Sequence, residues 1–105
     1  MTALKVPLTA TADSSGSAVI TLEPRGNVRW TVRQISVEMD AATGSTTGAL
    51  RENGFLVAPF VPAADAIVEP PPMILDPGEA ATVEWSGAPP GAVAQVLAYV
   101  EQEAM

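Results

Sequence analysis

The stretch Arg25 to Asp40, RGNVRWTVRQISVEMD, carries the longest alternation of apolar and polar side chains in the chain. Successive residues of a strand face opposite sides of a sheet, so Val28, Trp30 and Val32 share one face and Arg29, Thr31 and Arg33 share the other. After Gln34 the apolar row resumes at Ile35, Val37 and Met39, on odd positions instead of even ones. One extra residue near Arg33 and Gln34 accounts for the change of phase. The stretch therefore predicts a long core strand with a β-bulge in its middle.

Composition supports an all-β reading of the remainder. The 105 residues suffice for one domain, and such a chain buries roughly 65% of its unfolded surface without needing staples. Of the 48% hydrophobic residues, 18 are alanine and 12 valine, with five aromatics. Valine favours strands. The ten prolines and eight glycines are spread along the chain, as many short strands joined by tight turns require.

No cysteine and no histidine are present, which removes thiolate metal sites, disulfides and the commonest general base. The net charge is −7 and unevenly placed: residues 1–51 hold five cations and four anions, residues 52–105 eight anions and no cation. Binding to a nucleic acid backbone is not expected of such a chain. Neither a membrane-spanning apolar run nor the apolar core of a secretion signal is visible.

Working outward from the long strand, Leu4 to Ala12 alternates as an edge strand containing Pro7. Asp13-Ser14-Ser15-Gly16 is a turn, and Ser17 to Glu23 follows with Ala18, Ile20 and Leu22 inward, so the pair predicts a hairpin. On the other side, Ala41 to Thr47 is a loop and Gly48 to Glu52 a short strand. Asn53-Gly54 is a strong type I′ hairpin signal, returning through Phe55, Leu56 and Val57. Residues 58–72, APFVPAADAIVEPPP, hold five prolines and show no strand or helix period, which predicts a long extended loop. Asp76-Pro77-Gly78-Glu79 is a turn into a strand with Ala81, Val83 and Trp85 on one face. Ala92 to Glu101 is apolar on both faces, as suits a central strand or a subunit contact; periodicity alone does not separate it from a helix, but its valines and Gly91 favour strand. Together these predict one antiparallel β-sandwich over residues 1–105, jelly-roll-like or immunoglobulin-like, of about eight strands.

Chemistry-bearing clusters are sparse. Asp65, Glu69, Asp76 and Glu79 lack the ligand-dense spacing of a calcium loop, and Lys5 has no serine arrangement around it, so no metal, no cofactor and no catalysis are expected. Trp30 and Trp85 alternate with valines, which suits a core better than a sugar-stacking platform. Arg25, Arg29 and Arg33 form a basic stripe away from the core. It reads either as a solvated sheet face or as an oriented contact with an acidic neighbour. In the loop, Phe60, Val61, Ile67 and Val68 are too apolar for a solvated linker and should pack on the domain or on a partner.

Three phrases, Pro24 to Val32 (PRGNVRWTV), Arg51-Glu52-Asn53-Gly54, and Leu75 to Glu79 followed by Thr82 to Gly87, together resemble small β-sandwich virion proteins of tailed bacteriophages with GC-rich hosts. That resemblance covers roughly residues 17–100. It implies a non-enzymatic structural protein located in the virion after assembly in the host cytoplasm. Capsid decoration or cementing is its implied role, with the major capsid protein or another virion protein as partner. Copies would form a trimer or other symmetric cluster, with contacts from Val6, Phe60, Val61, Ile67 and Val68. A tail- or fibre-associated module and a carbohydrate-binding sandwich are the alternatives.

Overall fold

In the computed structural model, which describes residues 1–67 and 72–105, the chain forms nine strands in two antiparallel sheets. They are β1 (Thr2–Thr11), β2 (Ala18–Leu22), β3 (Val28–Met39), β4 (Thr47–Glu52), β5 (Phe55–Phe60), β6 (Ala64–Ile67), β7 (Met73–Leu75), β8 (Ala81–Ser86) and β9 (Val93–Ala104). Sheet A runs β1-β9-β3-β6, with β7 also on β3, and sheet B runs β2-β8-β4-β5.

The pairings are nested. β4 pairs with β5, β3 with β6 and β7, β2 with β8, and β1 with β9. The chain is thus one long antiparallel ribbon folded at Asn53-Gly54 and rolled up so that successive rungs alternate between two layers. This order is that of a jelly roll, and it resolves the choice left open by the alternation pattern. At the pivot both residues have positive φ, 49° for Asn53 and 87° for Gly54, as a type I′ turn demands.

The bulge falls where the change of phase puts it. β3 pairs with β9 in register up to Val32 opposite Val100 and resumes at Gln34 opposite Tyr99, leaving Arg33 as the extra residue. Trp30, Val32, Ile35, Val37 and Met39 are all buried. On the same stretch of edge, β6 pairs with the second half of β3 and β7 with the first, on either side of the bulge. β9 lies between β1 and β3, so its inward Ala94, Val96, Ala98 and Val100 are buried and its outward Leu97 and Tyr99 half-buried.

Two expectations change. β1 and β2 do not form a hairpin: β1 pairs with β9 in sheet A and β2 with β8 in sheet B. The Asp13 turn is tight, with Gly16 N–H donating to Asp13 O at 3.0 Å, but it carries the chain from one layer to the other. Both strands have one apolar face, and placing them in opposite layers turns both faces toward the core, where that of β2 is buried and that of β1 half-buried. The second change concerns residues 58–72. Ala58 to Phe60 continue β5, and Ala64 to Ile67 form β6, leaving only Val61 to Ala63 as the connection between them. Four residues on a sheet edge are too few to display a period, which is why the segment looks structureless in sequence.

The Asp13 turn is held by its own carboxylate. Oδ1 accepts from the Ser15 hydroxyl at 2.6 Å and from the N–H groups of Ser15 and Ser17 at 2.9 and 3.0 Å. The Ser15 hydroxyl first, then the backbone donors, hold this carboxyl below its ordinary 3.8. A folded value below the unfolded one contributes stability that is full above the unfolded value and lost as pH falls through the folded one. Asp13→Asn should therefore be less stable than wild type at pH 7. The gap should close in acid below the ordinary value, as read by urea unfolding at both pH values.

Candidate interaction surfaces

The arginine stripe does face away from the core, but two of its three arginines are already paired. Arg29 Nε meets Asp76 Oδ1 at 2.6 Å, across the outer face of sheet A from the β7-β8 turn. Asp76 holds the Arg29 guanidinium above its ordinary value, through the hydrogen bond first and the charge second. Arg33 makes a two-pronged contact with Glu101 of β9, Nε to Oε1 at 3.1 Å and Nη2 to Oε2 at 3.2 Å. On the outer face of sheet B, Arg51 Nε meets Glu84 Oε2 at 2.9 Å. Arg25 is exposed and, like Lys5, has no carboxylate partner among the described residues. The stripe is a row of ion pairs on the sheet surface and not a bare cationic patch.

The apolar residues of the 58–72 segment also separate. Phe60 is buried at 7% exposure and meets Trp85 edge-on, ring centroids 5.2 Å apart at 74°. Gly48, on the neighbouring strand, has no side chain because the Phe60 ring occupies that space: a Cβ there would sit 2.3 Å from a ring carbon. Ile67 is buried on β6 opposite Ile35. Val6 points inward from β1 and is half-buried against the core. These three therefore serve the fold, and of the three described loop residues expected at a contact, Phe60, Val61 and Ile67, Val61 alone is exposed, at 60%. Val68 and Glu69 lie outside the described residues.

Both tryptophans belong to the core. Trp85 is fully buried with Nε1 donating to Pro62 O at 3.1 Å, and Trp30 donates to Gln102 Oε1 at 3.0 Å. Trp85 presents no face to solvent, and Trp30, at 8% exposure, touches only the inner end of a cleft that it shares with Gln102. Among the described residues no three Asp or Glu side chains converge as metal ligands would.

A surface that the pattern reading passed over is the tip of the β4-β5 hairpin. Phe55 is 79% and Leu56 59% exposed, immediately after the pivot turn. The tip is clamped to the β7-β8 turn: Asn53 N–H donates to Ala80 O at 2.8 Å, Ala80 N–H to Asn53 Oδ1 at 3.1 Å, and Asn53 Nδ2 to Glu79 Oε2 at 3.1 Å. Two adjacent large apolar residues after a two-residue turn cannot both face inward, so the signal was present in Phe55-Leu56 itself. A shallow trough of about 500 Å³ crosses the outer face of sheet A, with Pro7, Leu97, Ser36 and Gln95 along it.

A scan of the chain against protein-family models finds no match, and a search of curated proteins finds none either.

Proposed function

We propose that the chain is a non-enzymatic structural protein that docks on a larger assembly, and specifically a decoration or cementing protein on the capsid of a phage virion. The observation that carries docking is the hairpin tip. Exposed large apolar side chains on a mobile loop would be a liability, whereas Phe55 and Leu56 stand on a turn fixed by three hydrogen bonds to a neighbouring turn. Pre-ordered apolar side chains lose little freedom on binding, which suits an anchor in a partner's pocket. The phage assignment, with the major capsid protein as partner, rests on the resemblance of the turn phrases; a tail-associated position is its runner-up.

The test uses capsids lacking the protein. Purified chain should add to them at a fixed stoichiometry and raise their resistance to heat. The double variant F55S/L56S should keep wild-type stability, because both side chains are solvated, and yet lose addition by at least tenfold. Absence of wild-type addition to such capsids defeats the assignment, and undiminished addition of the double variant defeats the anchor.

A further inference from the structure

The two sheets do not end flush. On the side where sheet A ends in β1, sheet B ends in β2. The inward residues of β2, Ala18, Ile20 and Leu22, are no more than 3% exposed, whereas the inward Leu4, Val6, Leu8 and Ala10 of β1 are only half-buried. The inner face of β1 thus extends past the cover that β2 gives it, and a step of one strand spacing would be roughly 4.8 Å. From this edge a cleft of about 430 Å³ runs inward as far as Gln102 of β9 and Trp30 of β3, with Val6 and Leu8 on one side and Thr21, Glu23 and Arg25 on the other. Among the described residues nothing pairs with either flanking edge. β2 contains no proline, unlike the other sheet B edge, β5, which carries Pro59. In β1 the Ala12 N–H donates to Ala92 O, so even-numbered donors face β9 and odd-numbered ones face outward. Pro7 falls in that outward row, removing one donor and leaving Ala3, Lys5, Thr9 and Thr11.

We infer that a second copy of this chain fills the step, about a two-fold axis parallel to the strands. Such an axis turns the partner over and brings its sheet B level with sheet A. The β2 strand of the partner then lies along β1, and β2 lies along the partner's β1, one overhang fitting each recess. The Asp13 turn reverses the chain, so β1 and β2 run in opposite directions; an axis parallel to the strands preserves direction, and both new ladders are antiparallel.

Charge selects the register and the partner. Arg29, Arg33 and Arg51 are paired within the chain, but Lys5 on β1 and Glu23 at the end of β2 have no oppositely charged partner within 4.0 Å among the described residues. The register that sets Lys5 opposite Glu23 of the other copy also sets Pro7 opposite Thr21 and Thr9 opposite Val19 on the outer face. On the inner face it opposes Val6 to Leu22, Leu8 to Ile20 and Ala10 to Ala18, so the half-buried side of β1 is covered. An ion pair of this kind contributes mainly orientation.

Sedimentation of the purified chain, without capsids, tests the pairing apart from the docking role. Wild type should show twice the 10.8 kDa chain mass. Lys5→Glu and Glu23→Lys should each weaken dimerisation at least tenfold with unchanged circular dichroism, and the double exchange should restore it. The register has its own readout, because the chain holds no cysteine. In one copy Thr9 and Val19 point from opposite outer faces, so T9C/V19C can join only between copies, and mild oxidation should give a covalent dimer. A monomer at every concentration, single charge variants that dimerise as wild type, or an oxidised T9C/V19C chain that stays monomeric would each overturn the inference.

Discussion

Replacing Trp85 by alanine is expected to cost the fold about 3–5 kcal/mol, most of what a domain of this size has to lose. Trp85 is 0% exposed, sits mid-sandwich on β8 and meets the Phe60 ring edge-on. Its truncation removes a large buried area, leaves a cavity that Phe60 cannot close, and strips the Pro62 carbonyl of its donor. Phe60 itself is seated over Gly48 and has no freedom to follow. Trp85→Phe keeps an aromatic ring but loses the hydrogen bond and part of the indole volume, so it should cost less than the alanine, about 1–3 kcal/mol. Trp30 remains as a fluorescent reporter in both variants. A guanidinium midpoint for W85A close to that of wild type would show that the two sheets are not joined through this residue.

The second large effect is expected at Gly16, where the chain passes from sheet A to sheet B. Its φ is +82°, and an added Cβ would lie 2.4 Å from the Ala88 carbonyl oxygen, a backbone atom with no rotamer to escape through. The same Gly16 accepts a hydrogen bond from Ala88 N–H at 3.0 Å, so relief by moving apart sacrifices that bond. Gly16→Ala should lose roughly 1–2 kcal/mol to the left-handed backbone and roughly 1–3 kcal/mol more to the clash. Gly26 provides the control. Its φ is +79° with nothing within 4 Å of the added carbon, so Gly26→Ala should show the backbone cost alone. Urea unfolding of the two variants side by side separates the contributions, and equal losses would mean that the approach to Ala88 is not tight in solution.

Features of the fold that depend on neighbours in sequence were legible. The change of phase at Arg33-Gln34 marked the bulge, Asn53-Gly54 marked the pivot, and valines around Trp30 and Trp85 marked them as core. What escaped depends on distant partners. The alternation of β1 and β2 is the same whether they pair side by side or face each other across a core, so the passage between layers was invisible. The arginine stripe looked like free charge because Asp76 and Glu101 stand 47 and 68 residues away from Arg29 and Arg33. Phe60 and Ile67 looked available because the strands that bury them, β5 and β6, are short and hold or adjoin prolines. Val6 looked exposed on an edge, and its half-burial comes from the opposing sheet, which no neighbour in sequence announces.

The rolled ribbon has a mechanical consequence. Thr2 pairs with Gln102, and Met105 N–H donates to Asn27 O, so the two ends of the chain leave the sandwich side by side. A force applied between them pulls across the β1-β9 ladder, and its hydrogen bonds load one after another like a zipper. Between Thr47, at the opposite end of the sandwich, and either chain end, the same force would act along the strands and load many bonds at once. The protein should therefore yield easily when stretched end to end and resist when held by the loop between β3 and β4.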